Sequence, residues 1–202
     1  AFQCGNEEGR PFGPVGERLM AMTMKGEVDL PAGREIVWQA LNDPEVLKSC
    51  IPGCESLEKV GDNSLQAVAK VKVGPVAATF KGKVDLLDLD PPNGYRIQGE
   101  GEGGVAGFAK GGAIVKLADI PEGTKLTYDV EAQVGGKLAQ LGARLIDGVA
   151  KKMADQFFND FAAAVARQQG VAVEQQAVEP AQQEEAKGWL QRLIAWFLDL
   201  WR

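Results

Sequence analysis

Histidine is absent from this chain of 202 residues, and its absence excludes more function classes than any other feature of the composition. Without it the chain can form no Ser-His-Asp triad, no Cys-His dyad and no histidine-ligated zinc or haem site. General acid–base catalysis near neutral pH would fall to a shifted carboxylate, lysine, cysteine or tyrosine. Together with the lack of paired inward carboxylates, this leads us to expect no catalytic residues, no metal site and a protein that is not an enzyme.

Basic charge, cysteine and long apolar runs are also scarce. The chain has 22 Lys and Arg against 28 Asp and Glu, a net charge of −6. This argues against nucleic acid as a partner, because phosphate contacts need a cationic surface. The three cysteines, Cys4, Cys50 and Cys54, are too few for a disulfide framework and indicate a reducing compartment. No run approaches the roughly 20 apolar residues that span a bilayer, so we expect a soluble or peripheral protein.

Residues 24–168 have the pattern of a single α+β domain. Apolar and polar residues alternate over 24–30, which is typical of a half-buried strand. Two short helices follow, 34–42 and a second for which Asp43 is the predicted N-cap. Short turns rich in Gly, Pro and Asn then separate six strands of a predicted antiparallel meander. These strands are 55–60, 65–73, 77–90, 95–103, 107–118 and 124–134.

A long amphipathic helix is predicted after the last strand, from about Lys137 to Arg167, because apolar residues recur there at helical spacing. At about 1.5 Å per residue it would be about 45 Å long, enough to cross a whole sheet. We therefore expect a seven-stranded, curved antiparallel sheet wrapped around this helix, with two short helices after the first strand. This is the α+β helix-grip architecture.

The strand positions predicted to face the long helix are unusually small. They are Gly82, Gly99, Gly101, Ala109, Gly111 and Ala113. Either the helix approaches the sheet very closely, or a ligand-sized apolar cavity remains between them. The cavity interpretation predicts these ligand-binding residues: Phe80, Gly82, Gly101, Phe108, Gly111, Ala113, Tyr128, Leu138, Leu141, Gly142, Leu145 and Val149.

Two of these residues have a specific expected role. Tyr128 is either a core tyrosine or a polar handle for the carbonyl or hydroxyl group of a bound ring. Phe108 lies beside the tip of the glycine-rich hairpin 99–113, where it would gate the cavity. The glycines of this hairpin do not indicate a dinucleotide site, because such a site needs a strand–turn–helix context and both sides here are predicted strands.

Cys50 and Cys54 form a C-x3-C motif around Pro52-Gly53. Two thiols without another soft ligand cannot complete a zinc or iron–sulfur site. We expect small, half-buried loop residues near the entrance of the cavity, the alternative being a redox-sensitive pair. Four lysines are predicted to face away from the helix, as a solvated face or as a docking surface for an acidic partner. They are Lys81, Lys83, Lys110 and Lys116.

The two ends of the chain differ from the domain. Residues 1–23 predict a loose extension without the apolar segment of a signal peptide. Residues 169–187 are rich in Gln, Glu and Ala and predict a flexible acidic linker. Residues 188–202 predict an amphipathic helix, too short to span a bilayer, that lies in the membrane interface or docks on the sheet or on a partner chain. Its predicted membrane-binding residues are Trp189, Leu190, Leu193, Ile194, Trp196, Phe197, Leu200 and Trp201.

Five separated segments are distinctive: NDPEVLKSCIPGCESLEKV (42–60), VKVGPVAATFKGKV (71–84), DLDPPNGY (88–95), GEGEGGVAGFAKGGA (99–113) and YDVEAQVGGKLAQLGARLIDGVAKKMADQFF (128–158). In this order they resemble the G-subunit family of carbon monoxide dehydrogenase, within the START-like (SRPBCC) helix-grip superfamily. The resemblance implies an accessory protein associated with bringing the molybdenum CO dehydrogenase to the inner face of the membrane. Superfamily relatives carry apolar ligands such as lipids and sterols, and some are cyclases.

The leading hypothesis is a membrane-tethered accessory protein that couples this dehydrogenase to the electron-transport chain. It would act peripherally at the cytoplasmic face of the cell membrane and hold a respiratory quinone (menaquinone or ubiquinone), with no covalent cofactor. The quinone follows from cavity, tether and partner together, because a dehydrogenase that feeds a respiratory chain must pass electrons to quinone in lipid. The alternatives are a recruitment factor without a ligand and a START-like cyclase or hydrolase.

Overall fold

The computed structural model describes residues 19–170. The predicted N-terminal extension up to residue 18, and the predicted linker and amphipathic helix from residue 171 onward, lie outside the described residues. The elements are β1 (Met20–Leu30), α1 (Arg34–Leu41), α2 (Pro44–Cys50), β2 (Cys54–Lys59), β3 (Ser64–Val73), β4 (Val76–Asp90), β5 (Gly94–Glu102), β6 (Phe108–Ile120), β7 (Gly123–Gly135), α3 (Lys137–Gln140) and α4 (143–170).

The seven strands form one antiparallel sheet in the order β1-β7-β6-β5-β4-β3-β2, which confirms the predicted fold class. Consecutive strands from β2 to β7 are neighbours, as short hairpin turns require. β1 begins at Met20, four residues before the alternation predicted it to start. Its backbone pairs with β7 along its whole length, from Met20 opposite Val134 to Leu30 opposite Thr124.

The two short helices lie where the sequence predicts them. Asp43 caps α2, because its carboxylate accepts hydrogen bonds from the backbone N–H groups of Glu45 and Val46, at 2.9 and 3.4 Å. α1 buries Val37 against the sheet. These helices close one end of the sheet, and we call it the α1 end.

The long C-terminal helix is not continuous, and the prediction of one helix over 137–167 was wrong in this respect. α3 is a single turn, the chain breaks at Leu141-Gly142, and α4 then runs from 143 to 170. Gly142 has φ +85°, a left-handed conformation that glycine adopts far more readily than other residues. The far end of α4 is fixed at the α1 end, where the Gly33 N–H donates to Gln169 Oε1 at 3.1 Å.

The core between the sheet and α4 consists of two separate clusters. The α1-side cluster centres on Phe161 and Val165, which are fully buried with Leu30 and Leu126. The α3-side cluster is formed by Val73, Val134, Leu138 and Ile146, with Phe80, Met22, Leu141 and Val149 packed against it. Ile146 and Phe161 are 15 residues apart, about 22 Å along the helix. The candidate site lies between these clusters.

Candidate functional site

The sheet surface between the two clusters is made of small residues. Gly101 lies opposite Gly82 on β4 and opposite Ala109 on β6. In the next row Gly99 lies opposite Gly111, which lies opposite Ala132 on β7. Directly opposed residues point to the same face of an antiparallel pair. These positions therefore form one patch, the small-residue floor: Gly82, Gly99, Gly101, Ala109, Gly111, Ala113 and Ala132.

Two glycines of the floor, Gly101 and Gly82, differ in the space that a side chain would find. A Cβ atom added to Gly101 would have only two heavy atoms of residues 19–170 within 4 Å, both in the β4 backbone, at 3.6 and 3.7 Å. At Gly82 the three nearest atoms, at 3.0–3.9 Å, all belong to the β5 backbone. Close approach of α4 therefore does not explain Gly101, and the observation favours a cavity at this point. Gly82 has a reason within the sheet, because its Cβ atom would lie only 3.0 Å from the Glu100 carbonyl oxygen.

Gly111 has a different structural reason. A Cβ atom there would collide with the carbonyl oxygen of Glu131 and with Ala132 on the neighbouring strand. The glycine is needed for the close approach of β6 and β7. The floor thus combines positions that are small because the sheet is tightly curved with positions that leave space.

The part of α4 above the floor is packed less tightly than its ends. Val149, Met153 and Phe157 are half-buried, whereas Ile146 and Phe161 on either side are buried. A helix packed tightly on a sheet would bury its facing residues along its whole length. The middle of α4 therefore forms the aliphatic cover of a space whose floor is glycine and alanine.

Tyr128 forms the edge of this space nearest the α1-side cluster. Its ring stacks on Phe158 with centroids 5.0 Å apart and an interplanar angle of 20°. Its hydroxyl end lies over Gly26, where a Cβ atom would collide with it. Tyr128 is half-buried, while Tyr95, deeper in the same cluster, is almost fully buried and has its pKa raised by that burial. Tyr128 thus lies between the α1-side cluster and the floor, with its hydroxyl end directed toward β1.

The structure brings most of the predicted lining residues together on the side of the sheet that α4 covers. These are Phe80, Gly82, Gly101, Gly111, Ala113, Tyr128, Leu138, Leu141 and Val149. Sequence reasoning missed Ala132, Met22 and Phe158. Leu126 and Tyr128 on β7 face α4, and the same two-residue alternation continued along the strand predicts that Ala132 faces α4 as well.

Three predicted lining residues are elsewhere. Phe108 lies on the opposite face of β6 from Ala109, with its ring over Gly135, so it does not gate the space from inside. Gly142 is exposed at the helix break, with nothing near it. Leu145 is 39% exposed and lies over the β3–β4 turn, because α4 begins only at 143 and Ile146 takes the buried position.

A family model described as the carbon monoxide dehydrogenase G-subunit (CoxG) matches residues 26–166. The chain belongs to the CoxG family. The match covers the whole sheet except the start of β1, and almost all of α4. No curated protein matches the chain significantly. Within residues 19–170, no helix is both long enough and apolar enough to cross a membrane.

Solved structures similar to this CoxG-family chain share the helix-grip fold. A conserved protein from Geobacillus kaustophilus is 34% identical, with a TM-score of 0.68 over 72% of this chain and 96% of that one. A protein from Rhizobium leguminosarum is 16% identical, with a TM-score of 0.59 over 76% and 99% of the two chains. The ZhuI aromatase/cyclase from Streptomyces sp. R1128 is 15% identical, with a TM-score of 0.54 over 73% and 95%. The last two show the fold alone.

The outer face of the sheet in this CoxG-family chain carries a second concavity, a groove of about 1020 Å³. The four lysines predicted to face outward are exposed. They alternate with carboxylates, however: Lys83 forms an ion pair with Asp85 at 3.0 Å, and Lys81 lies opposite Glu102. The groove itself is lined by both signs of charge and is not a uniformly basic surface: Lys83, Arg96 and Lys110 with Asp85, Glu100, Asp129 and Glu131.

The two cysteines of the C-x3-C motif do not form a reactive pair. Cys50 is buried in the α1-side cluster, and Cys54 is half-buried with its thiol donating to the Ser56 carbonyl at 3.4 Å. Burial raises the pKa of the Cys54 thiol and so reduces its thiolate fraction. Among residues 19–170, no three Cys, Asp or Glu side chains are grouped so that they could hold a metal ion.

Proposed function

We propose that this chain is an accessory protein of a molybdenum CO dehydrogenase that holds a respiratory quinone and couples the enzyme to the membrane electron-transport chain. Membership of the CoxG family supports the partner. The open space above Gly101, between two separate core clusters, is the observation that supports a bound apolar molecule.

The floor is large enough for an elongated molecule made of a ring system and a hydrocarbon chain. The floor crosses from β4 to β7, three strand spacings or about 14 Å. The two clusters that bound it are about 22 Å apart along α4. A quinone ring is flat and apolar and has carbonyl oxygens only at its edge, so it would fit over glycine and alanine where a bulkier floor would exclude it.

The residues of the site would each contribute a simple physical interaction. Gly101 would leave room for the ring, and Val149 and Met153 would cover it with aliphatic surface. Tyr128 is the group that we expect to donate a hydrogen bond to a quinone carbonyl, since its ring borders the space and its hydroxyl end lies over Gly26 of β1, next to the β7 side of the floor. The glycine and alanine floor and the apolar side chains of both clusters favour the binding of an apolar molecule.

Solvent extraction of the purified protein tests the ligand directly. The full chain is purified without detergent from cells that make quinone, extracted with organic solvent, and the extract is identified by mass spectrometry. We expect close to one quinone per chain, and a clear reduction in a Tyr128→Phe variant if the hydroxyl group holds the carbonyl. An extract without any apolar molecule would favour the recruitment factor that binds the dehydrogenase and carries no ligand.

A further inference from the structure

The end of the sheet where α4 begins brings three connections together. Leu145 of α4 lies over Gly74 in the β3–β4 turn, and Gly136 before α3 contacts Gly107 in the β5–β6 connection. We call these segments, residues 72–76, 103–107 and 137–145, the rim. The floor ends beside them, because Gly101 and Ala109 are its last positions before the β5–β6 connection.

The rim exposes apolar side chains at its tips. Val105 is 85% exposed, in a connection with Gly104 and Gly107 at φ +57° and +116°. Leu145 is 39% exposed, and Leu19, next to the β7 end of the sheet, is 56% exposed. Single exposed apolar residues are common on protein surfaces. Here several share one end of the domain, and Val105 projects from a segment without any charged residue.

Charge is distributed unequally between the two ends of the domain. The rim carries Lys72, Lys137 and Arg144, all exposed, and none of them takes part in the ion pairs found within residues 19–170. The nearest acidic residues are Asp147 on α4 and Glu102, which is exposed at the end of β5 just before 103–107. At the α1 end acidic side chains predominate, and two of them are paired with arginines, Asp88 with Arg96 and Asp119 with Arg34. The acidic residues there are Asp43, Glu45, Asp62, Asp88, Asp90, Asp119 and Glu122, and the basic ones are Arg34, Lys59, Arg96, Lys116 and Lys125. The domain therefore has a basic end and an acidic end, although the whole chain is negative.

We propose that the rim docks on an anionic lipid surface, with Val105 and Leu145 entering the headgroup region and Lys72, Lys137 and Arg144 contacting lipid phosphates. Apolar tips flanked by basic side chains suit the membrane interface. The acidic α1 end would be repelled by the same surface, which fixes the orientation. The inference rests on the proposed function in that both place the protein at a membrane.

A lipid surface fits the rim better than a protein partner. Stable protein–protein interfaces bury about 800 Å² on each side in a continuous, complementary surface. The rim offers separate tips with glycines between them, and lipid can accommodate such an irregular outline. Docking this end also places the edge of the floor against the phase in which apolar ligands dissolve.

Vesicle binding by the full chain tests the proposal. The vesicles contain either 30% phosphatidylglycerol in phosphatidylcholine or phosphatidylcholine alone, in 0.1 M salt. Each basic side chain near an anionic surface strengthens binding about fivefold. We expect Lys72→Ala, Lys137→Ala and Arg144→Ala each to weaken binding to the anionic vesicles by that factor, and Val105→Asp to weaken it at least as much. Affinity for phosphatidylcholine vesicles should change little in the three alanine variants.

Matched controls lie at the other end of the domain. Val60 and Leu89 are exposed apolar residues at the α1 end, so Val60→Asp and Leu89→Asp should change binding less than twofold. Any binding through the C-terminal segment is common to all variants, so the ratios isolate the rim. Hydrogen exchange should slow in 103–107 with anionic vesicles and stay unchanged in 119–123.

Equal affinities for rim and control variants, or no change of exchange in 103–107, would overturn the proposal. Rim variants that bind vesicles normally but no longer bind the dehydrogenase would also overturn it, because the rim would then be a protein interface. Val105→Ala provides a second variant in case the aspartate alters folding. The quinone proposal fails separately, when extraction of the wild-type protein yields no apolar molecule.

Discussion

Gly101→Leu is the substitution that best separates a cavity from a tightly packed core. Gly101 is in the middle of the floor, its backbone φ is not in the left-handed region, and a Cβ atom there meets only the β4 backbone at ordinary contact distance. The longer side chain would therefore project into the space beneath α4 without moving a strand. Gly111→Leu would not serve, since its Cβ atom collides with the neighbouring strand.

The expected effect of Gly101→Leu on stability can be estimated. Burying a leucine side chain contributes about 1.5–3 kcal/mol, and removing a strand glycine contributes up to about 1 kcal/mol. Ordering the side chain costs about 0.5–1 kcal/mol. A net gain of about 1–2 kcal/mol raises Tm by about 2–8 °C in a chain of this length. In a filled core the same change would be overpacking, which costs about 1–3 kcal/mol and lowers Tm.

Thermal unfolding followed by circular dichroism, together with solvent extraction, gives the two readouts for this variant. We expect Gly101→Leu to melt at or above the wild-type temperature and to yield little or no quinone. Gln98→Leu is the matched control, because Gln98 is exposed on the outer face of the same strand, and it should retain the ligand. A Tm that falls by several degrees while the ligand is retained would refute the cavity.

Three further predictions concern the helix break, the sheet surface and the C-terminal segment. Gly142→Ala should lower the free energy of unfolding by about 1 kcal/mol, because Gly142 has a φ of +85°. Gly148 is exposed within α4, so Gly148→Ala should raise the free energy of unfolding by up to about 1 kcal/mol. Chemical denaturation measures both changes. The Ser64 hydroxyl and the Lys83 ammonium hold the pKa of Asp85 below its usual 3.8. This stabilisation is present above pH 3.8 and is lost as pH falls through the lower folded-state value. Ser64→Ala should therefore melt below wild type at pH 7, with a difference that shrinks in acid. Truncation after Gly188 should abolish the vesicle binding that survives 0.5 M salt and leave only salt-sensitive binding.

The strands could be predicted from the sequence because their signals are local. Alternation of period two and turns such as Pro91-Pro92-Asn93-Gly94 depend on neighbouring residues, so the predicted strand limits from β2 to β7 lie within about two residues of the observed ones. The start of β1 was predicted four residues too late. Met20–Thr23 is part of the strand because its backbone pairs with β7, and a local pattern contains no information about that pairing.

The errors in the site arose where the chain changes phase. A glycine inside an apolar, helix-periodic segment costs only about 1 kcal/mol, so Gly142 did not interrupt the pattern. α4 begins at 143, after the break at Gly142. Leu141 and Leu145 therefore lie on different sides of the break, and their four-residue spacing does not place them on one helix face. Phe108 was expected to gate the space because it lies beside the hairpin tip, although the alternation that puts Ala109 on the inner face directs Phe108 to the outer one. Whether small residues leave space or fill it depends on atoms of distant elements, which no local pattern contains.

The attachment point of the C-terminal segment sets a minimum tether length. α4 spans 28 residues, about 42 Å, from the rim to the Gln169–Gly33 contact. If the C-terminal segment and the rim engage one membrane together, the chain leaving residue 170 must return that distance to the lipid. Residues 171–187 reach at most about 60 Å when fully extended, which suffices, but fewer than about 12 residues would not. Deleting 172–184 leaves about 14 Å of chain between the domain and the C-terminal segment. The α1 end would then lie nearest the lipid, and the rim and the cavity would be directed away from the membrane.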